Sequence, residues 1–353
     1  MALNELGPEP ARPMSATATE VHTGPATDPL AWFATTPHTD ERWYWEVPED
    51  GTAWVGMGSA ATISTSGPGR FDEAAREADQ LLGGLRVTGP SDAPLPRLAA
   101  GFAFDDTAQS GPWAPFGDGR LVLPAVQVLR RGSHTWVIRI DGHDRPTPVV
   151  VAPDPAGPVG VDAADWADEV SRSHYRHLVE LALEAIERGE LVKAVPCRSL
   201  RLDRRPDVAR LLATLRSTYP ACATLGVSIG ATSFVAATPE RLVAVTGDRL
   251  HTAALAGSAP RHADPAIDAA LGQGLLTSPK ERSEHAVVVD AIDRSLQRLG
   301  VVDRHPADPT LLQLHGIQHL HTPIDAELPT GIGLFDVVGA LHPTPAVAGH
   351  PGG

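Results

Sequence analysis

The chain has 353 residues, with 43 acidic against 29 basic side chains and a formal charge of −14, so it lacks the basic footprint a nucleic-acid partner needs. It has no run of about 18 apolar residues, so no membrane span is expected, and no basic segment followed by an apolar one at its start, so the cytoplasm is the expected compartment. Cys197 and Cys222 form no metal spacing and are expected as buried thiols; a monomer is the expected state.

Residues 1–28 mix Pro, Gly, Thr and Ala without periodicity and read as a disordered tail, leaving 29–353 as one domain. Strand-like runs follow at Arg42–Val47, Ala53–Met57, Ala99–Ala103, Leu121–Leu129 and His134–Ile140, most of them bounded by Gly or Pro. Between them Phe71–Leu85 reads as a helix. The proline-rich stretch 141–160 reads as a surface connection. A helix is expected over Asp165–Arg188, where Tyr175, Leu178, Ala182, Ala185 and Ile186 form a stripe and Gly189 sits where a C-terminal cap belongs. Leu191–Cys197 reads as the next strand, followed by Ala223–Ile229, Ser233–Ala237, Arg241–Val245 and Arg249–Ala254. Ser283–Leu299 is a long helix with His285, Val289, Ile292, Leu296 and Leu299 on one face. Runs of neighbouring strands ahead of isolated helices predict an α+β layered sandwich, not alternating βαβ units.

Few side chains could carry chemistry on this frame. Lys193 shares a strand face with Leu191 and Val195; such an ammonium is either solvated at an edge or held in a pocket for a purpose. As a base it meets a large demand. A lysine at its ordinary pKa of ~10.4 is only about one part in a thousand neutral near pH 7.5, roughly 4 kcal/mol away, so burial or a second cation must lower that pKa. Glu240, in Thr238-Pro239-Glu240-Arg241-Leu242, follows a strand and alone would read as a surface hairpin. Gly257 and Ser258 form a turn whose backbone N–H groups could approach a carboxylate, because glycine puts no Cβ in the way. Glu284 lies off the apolar face of its helix, in Ser278-Pro279-Lys280-Glu281-Arg282-Ser283-Glu284-His285, where proline and acidic residues are also ordinary helix-start chemistry. His315, His319 and His321 are not read as a zinc site: no H-E-x-x-H pattern is present, and Gly316 and Pro323 argue against a helix. Near its end the chain reads Leu341-His342-Pro343-Thr344-Pro345-Ala346-Val347-Ala348-Gly349-His350-Pro351, a rigid turn.

That last run resembles the L-H-P-T-P-A-x-x-G-x-P signature of isochorismate synthases, a branch of the chorismate-utilising enzymes, and the earlier runs resemble motifs of the same family in the same order. Lys193-Ala194-Val195-Pro196-Cys197-Arg198 is similar to K-V-V-x-x-R, residues 238–242 to S/T-P-E-x-L, Leu255-Ala256-Gly257-Ser258 to L-A-G-T/S, residues 278–285 to S-x-K-D/E-R-x-E-H, and Gln318-His319-Leu320 to Q-H-L. Gly101-Phe102-Ala103-Phe104-Asp105, with Trp113, Phe116 and Leu123-Pro124, carries the likeness further back along the chain.

The resemblance implies large antiparallel sheets with helices outside, and a Mg²⁺-dependent isomerisation of chorismate to isochorismate that feeds menaquinone or siderophore synthesis. In it Lys193 would be the general base that activates water for attack at C2, and Glu240 the general acid for the hydroxyl leaving C4. Glu284 would be a Mg²⁺ ligand, and Gly257, Ser258, His319 and Ala346 would position the substrate. Ala346, where anthranilate and aminodeoxychorismate synthases carry Thr, favours water over ammonia as nucleophile. Salicylate synthases keep the lysine too, so a salicylate synthase is the alternative, as is a truncated non-catalytic member. Family members continue past the position of Gly353 with a G-W segment, an arginine for a substrate carboxylate, a G-A-G-I-V strand and an E-x-x-E-x-x-x-K helix. Without these the chain is expected to have little activity and an exposed sheet edge.

Overall fold

Three sheets take up the alternating runs of the sequence. The computed structural model describes residues 14–22, 28–37, 40–107, 109–143, 169–202, 206–302 and 304–350. The first half supplies β1 (Ser15–His22), α1 (Pro29–Thr35), β2 (Arg42–Val47), β3 (Thr52–Met57), β4 (Ala61–Thr65), α2 (Arg70–Gly83), β5 (Arg86–Thr88) and β6 (Ala99–Phe102). It continues with β7 (Gly119–Leu123), β8 (Val126–Arg131) and β9 (His134–Ile140). The second half supplies α3 (Glu169–Glu187), α4 (Val208–Thr218), β10 (Ala223–Ile229), β11 (Thr232–Thr238), β12 (Ala244–Thr246), β13 (Arg249–Pro260) and α5 (Pro265–Thr277). After these come α6 (Pro279–Arg298), β14 (His305–Pro306), β15 (Thr310–Gln313), β16 (Ile317–Glu327) and α7 (Leu334–Leu341).

The largest sheet has the order β11-β10-β2-β3-β8-β9-β1-β5 and is antiparallel except where β1 meets β5. One face packs against α1 and α4 through Leu30, Phe33, Tyr44, Val55, Val128 and Leu212. The other sets Trp43, Trp54 and Trp136 against Ala99 and Val122 of the small sheet β4-β7-β6. A second large sheet, β12-β13-β16-β14 with β15 also on β16, carries the site. Leu250, Ala254 and Ile324 on its strands meet Val288, Ile292 and Leu296 of α6 and Val337 of α7. Each buried large aliphatic side chain contributes roughly 1.5–3 kcal/mol, so this cluster holds α6 on the β13–β16 pair. The result is an α+β sandwich of large, mainly antiparallel sheets with helices outside.

Several local expectations are corrected. Residues 15–22 are not a tail: β1 pairs along its length with β9, and its alternation buries Ala16 and Ala18. The rest of that expected tail at 1–13 and 23–27 lies outside the described residues, as do 144–160 of the connection and 165–168 of the following helix. Leu121–Leu129 is two strands, not one. Pro124 has no N–H for a ladder, and β7 and β8 run to different sheets on either side of it. Arg241–Val245 reduces to the short β12. The long helix begins at Pro279 rather than Ser283, because Ser278 caps it by accepting from Glu281 N. Cys222 is buried as expected, but Cys197 is exposed.

The largest departure is at 191–197, which forms no strand. Among the described residues its one strand-like pairing is an isolated bridge from Lys193 to His350. The helix before it forms as read, with Gly189 at φ 74° ending it, yet none of its residues is buried, and Leu181 and Leu183 are 46% and 55% exposed. Apolar periodicity announces a face to be covered; it does not name the cover. No helix among the described residues is long and apolar enough to cross a membrane.

Candidate active site

The site starts from an irregularity in the β13–β16 ladder. Its register runs from Arg249 opposite Glu327 to Pro260 opposite Ile317 and shifts between Ala256 and Ser258. Gly257 occupies the bulge at φ 77°, and a Cβ there would fall 3.2 Å from Glu281 Oε2. Glycine therefore provides both the left-handed backbone and the room for the start of α6. Beyond the bulge Ser258 faces His319 across the ladder, with Oγ 2.8 Å from Nδ1. Burial pushes the His319 pKa down, against a backbone hydrogen bond at Gly257, which favours a neutral ring. Three of the four residues expected to position substrate thus form one patch.

The first turns of α6 bring one carboxylate beside that patch and carry a second on the next turn. Glu281 lies against Gly257, and Glu284 follows three residues later. Lys280 Nζ stands 3.4 Å from Glu281 Oε1 and 3.7 Å from Glu284 Oε1. Lys280 is exposed, so these pairs contribute at most about 1 kcal/mol, and Glu284, its side chain 40% exposed, stays open to other partners.

The proline-rich turn after α7 brings in the lysine. Lys193 N and O pair with His350 O and N at 3.1 and 2.8 Å. Gly349, at φ 89°, makes this approach possible, because a Cβ there would lie 2.8 Å from Lys193 O. The side chain then reaches back, and Nζ donates to Pro345 O at 2.5 Å. The turn is braced by Val347 and Ala348 N–H groups donating to Thr344 O, and His342 Nε2 lies 3.1 Å from Ala103 O. Ala346 follows the carbonyl that holds the lysine and packs partly against the α6 cluster. Gly349→Ala is expected to cost about 1–3 kcal/mol through strain and the lost approach, read as a shift in the urea midpoint.

Electrostatics ties these pieces together. Burial pushes the Lys193 pKa below its ordinary value, opposed first by the charge of Glu284 and then by that of Glu240. Burial pushes the Glu240 carboxyl up, opposed by Lys193. Lysine and glutamate therefore lie in each other's field, each displaced toward neutrality, as a base and an acid working near neutral pH require. Glu240 N donates to Thr238 Oγ1 at 3.1 Å, which fixes the turn that presents it.

His315 is not part of this group: its ring sits edge-on to Tyr219 at 5.7 Å. Among the described residues no three potential metal ligands converge. The sequence reading missed Glu281, although its three-residue spacing from Glu284 was a signal; the Pro345 carbonyl has none. A cavity of about 760 Å³ lined by Trp43, Trp54, Phe102 and Trp113 reaches the lysine's turn at His342, and none of the candidate site residues lines it.

The family model described as chorismate binding enzyme matches residues 9–143 and 154–353. The chain belongs to that family. This chorismate-binding enzyme is 32% identical over 329 residues to the salicylate biosynthesis isochorismate synthase of Pseudomonas aeruginosa, covering 87% of the chain and 67% of that protein. It is 27% identical over 352 residues to the isochorismate synthase MenF of Bacillus subtilis, covering 92% and 74%. Its fold matches that of the menaquinone-specific isochorismate synthase MenF from Escherichia coli with a TM-score of 0.75 at 23% identity, covering 96% of this chain and 76% of that one.

Proposed function

We propose that this chain is an isochorismate synthase, converting chorismate to isochorismate by adding water at C2 and releasing the C4 hydroxyl. The observation that carries the reading is Lys193, held at its bridge to His350 and by Pro345 O, with Glu240 in its field.

Neutral Lys193 takes a proton from water as its oxygen bonds to C2. The C1=C2 and C5=C6 π bonds move to C1=C6 and C4=C5, and the C4–O bond breaks while Glu240 gives the departing oxygen a proton. One water enters and one leaves, so substrate and product are isomers. A neutral Nζ can keep one N–H on Pro345 O and still offer its lone pair to water, which orients the base. Gly257, Ser258 and His319 offer backbone and side-chain donors for substrate oxygens, and Ala346 leaves space beside the lysine.

Glu284, with Glu281 beside it, provides hard carboxylate oxygens of the kind Mg²⁺ accepts, one or two at a time, alongside water and substrate oxygens. Bound there, Mg²⁺ would balance a substrate carboxylate and offset the Glu284 charge that holds a proton on Lys193. We read the enzyme as a cytoplasmic monomer whose product enters menaquinone or siderophore synthesis.

The test is incubation of the purified chain with chorismate and Mg²⁺, with products separated by chromatography. Isochorismate is expected, however slow the rate, lost on chelation and regained with Mg²⁺. Salicylate and pyruvate as the only products would transfer the chain to the salicylate synthases, and no Mg²⁺-dependent product would overturn the assignment.

A further inference from the structure

We propose that His285 is a positioning residue: it latches the first turns of α6 to both strands of the bulged β13–β16 ladder and so sets where Glu284 stands relative to Lys193 and the Gly257–Ser258–His319 patch. The catalytic part of this inference rests on the isochorismate synthase reading; the latch itself does not.

His285 is 2% exposed. Its Nδ1 lies 3.2 Å from Ala256 O and its Nε2 2.8 Å from Thr322 Oγ1. A carbonyl only accepts, so Nδ1 carries the hydrogen. In the neutral ring Nε2 then accepts from the Thr322 hydroxyl. Ala256 is the residue immediately before the register shift in β13, and Thr322 sits on β16 opposite Ala254. One ring thus joins a helix and two strands at the point where the ladder bends.

Packing alone would not call for an imidazole here. Farther along the same helix face Val288, Ile292 and Leu296 make the contact with aliphatic groups, all of them buried. Aliphatic contacts let a helix slide or turn slightly at low cost, whereas two directional bonds with a defined tautomer do not. The polar residue comes where position matters: Glu284 precedes it, and Glu281, one turn earlier, lies against Gly257.

Three variants and two kinds of spectrum test this. His285→Phe keeps volume and removes both bonds. His285→Asn can keep an N–H near Nδ1 for Ala256 O, and His285→Gln can place a carbonyl near Nε2 for Thr322. His285→Phe should lower kcat by about 10²-fold, the scale of a misplacement near 1 Å, with KM for chorismate changed much less. His285→Asn should recover most of that loss and His285→Gln less, because Ala256 O borders the bulge. In the wild-type chain, nitrogen-15 spectra should show the hydrogen on Nδ1, and in His285→Phe the Gly257, Ser258 and Glu284 amide signals should move together. A hydrogen on Nε2, or a folded His285→Phe with wild-type kcat and unmoved signals, would overturn the proposal. The spectra read the latch even if no isochorismate is formed, so failure of the function and failure of the latch are distinguishable.

Discussion

Lys193→Ala is expected to lower isochorismate formation by about 10²–10⁴-fold, the range for losing a positioned base, with little change in the fold. Among the described residues the side chain donates one hydrogen bond, to Pro345 O, and the backbone pairing with His350 does not depend on it. The pH dependence gives a second readout. Burial lowers the Lys193 pKa from an ordinary value of 10.5, so between the lowered and the ordinary value the unfolded chain binds more protons than the folded one. Stability therefore rises with pH across that window, and below it the full penalty of a half-buried ammonium is present. Lys193→Met should relieve that penalty at neutral pH and flatten the rise, as measured by urea melts at several pH values. A variant that is inert yet at least as stable marks a residue kept for chemistry. An alanine variant with more than about a tenth of wild-type turnover would remove Lys193 from the role of base.

How much of this was legible depended on whether the cause was local. The strands at Arg42–Val47, His134–Ile140 and Ala223–Ile229 were found to the residue, because β-branched and aromatic runs between turn residues are written in their own side chains. The run SATATEVH alternates too, but with small and polar residues, so β1 passed for a tail. The break at Pro124 was visible as a proline; that it divides two sheets was not, since sheet membership is decided by distant partners. The same reason undid 191–197: its side chains have the strand period, but a ladder needs a second chain segment, and among the described residues His350 alone bridges to it. The candidate residues Lys193, Glu240, Gly257, Ser258, Glu284, His319 and Ala346 were marked by the family resemblance, not by patterns of their own: alone, Glu240 reads as a surface hairpin and Glu284 as helix-start chemistry. The carbonyl of Pro345, the reach of Glu281 to Gly257 and the two bonds of His285 are tertiary facts, and the sequence carries no pattern for them.

The second large effect is expected for Glu240→Gln, where activity and stability should move in opposite directions. Glutamine keeps the shape but cannot give up a proton, so turnover should fall by about 10²–10⁴-fold. Burial raises the Glu240 pKa above its ordinary 4.5, with Lys193 opposing. From 4.5 up through the raised value the folded chain holds more protons than the unfolded one, so stability falls as pH rises and the penalty is complete above that window. An uncharged amide escapes it, and the variant should melt later at neutral pH while matching the wild type in acid. The partner makes the assignment sharper. Without Glu240, Lys193 loses one of the two charges that hold its proton, so the base is deprotonated more readily and a defect in water activation cannot explain the lost rate. Part of each single gain is also spent on an unpaired partner, so Lys193→Met with Glu240→Gln should stabilise by more than the two separate gains combined. Full turnover in Glu240→Gln would place the proton donor elsewhere; lost turnover without a gain in stability near neutral pH would mean the carboxylate is solvated, and its burial could not then explain a proton held ready for the leaving oxygen.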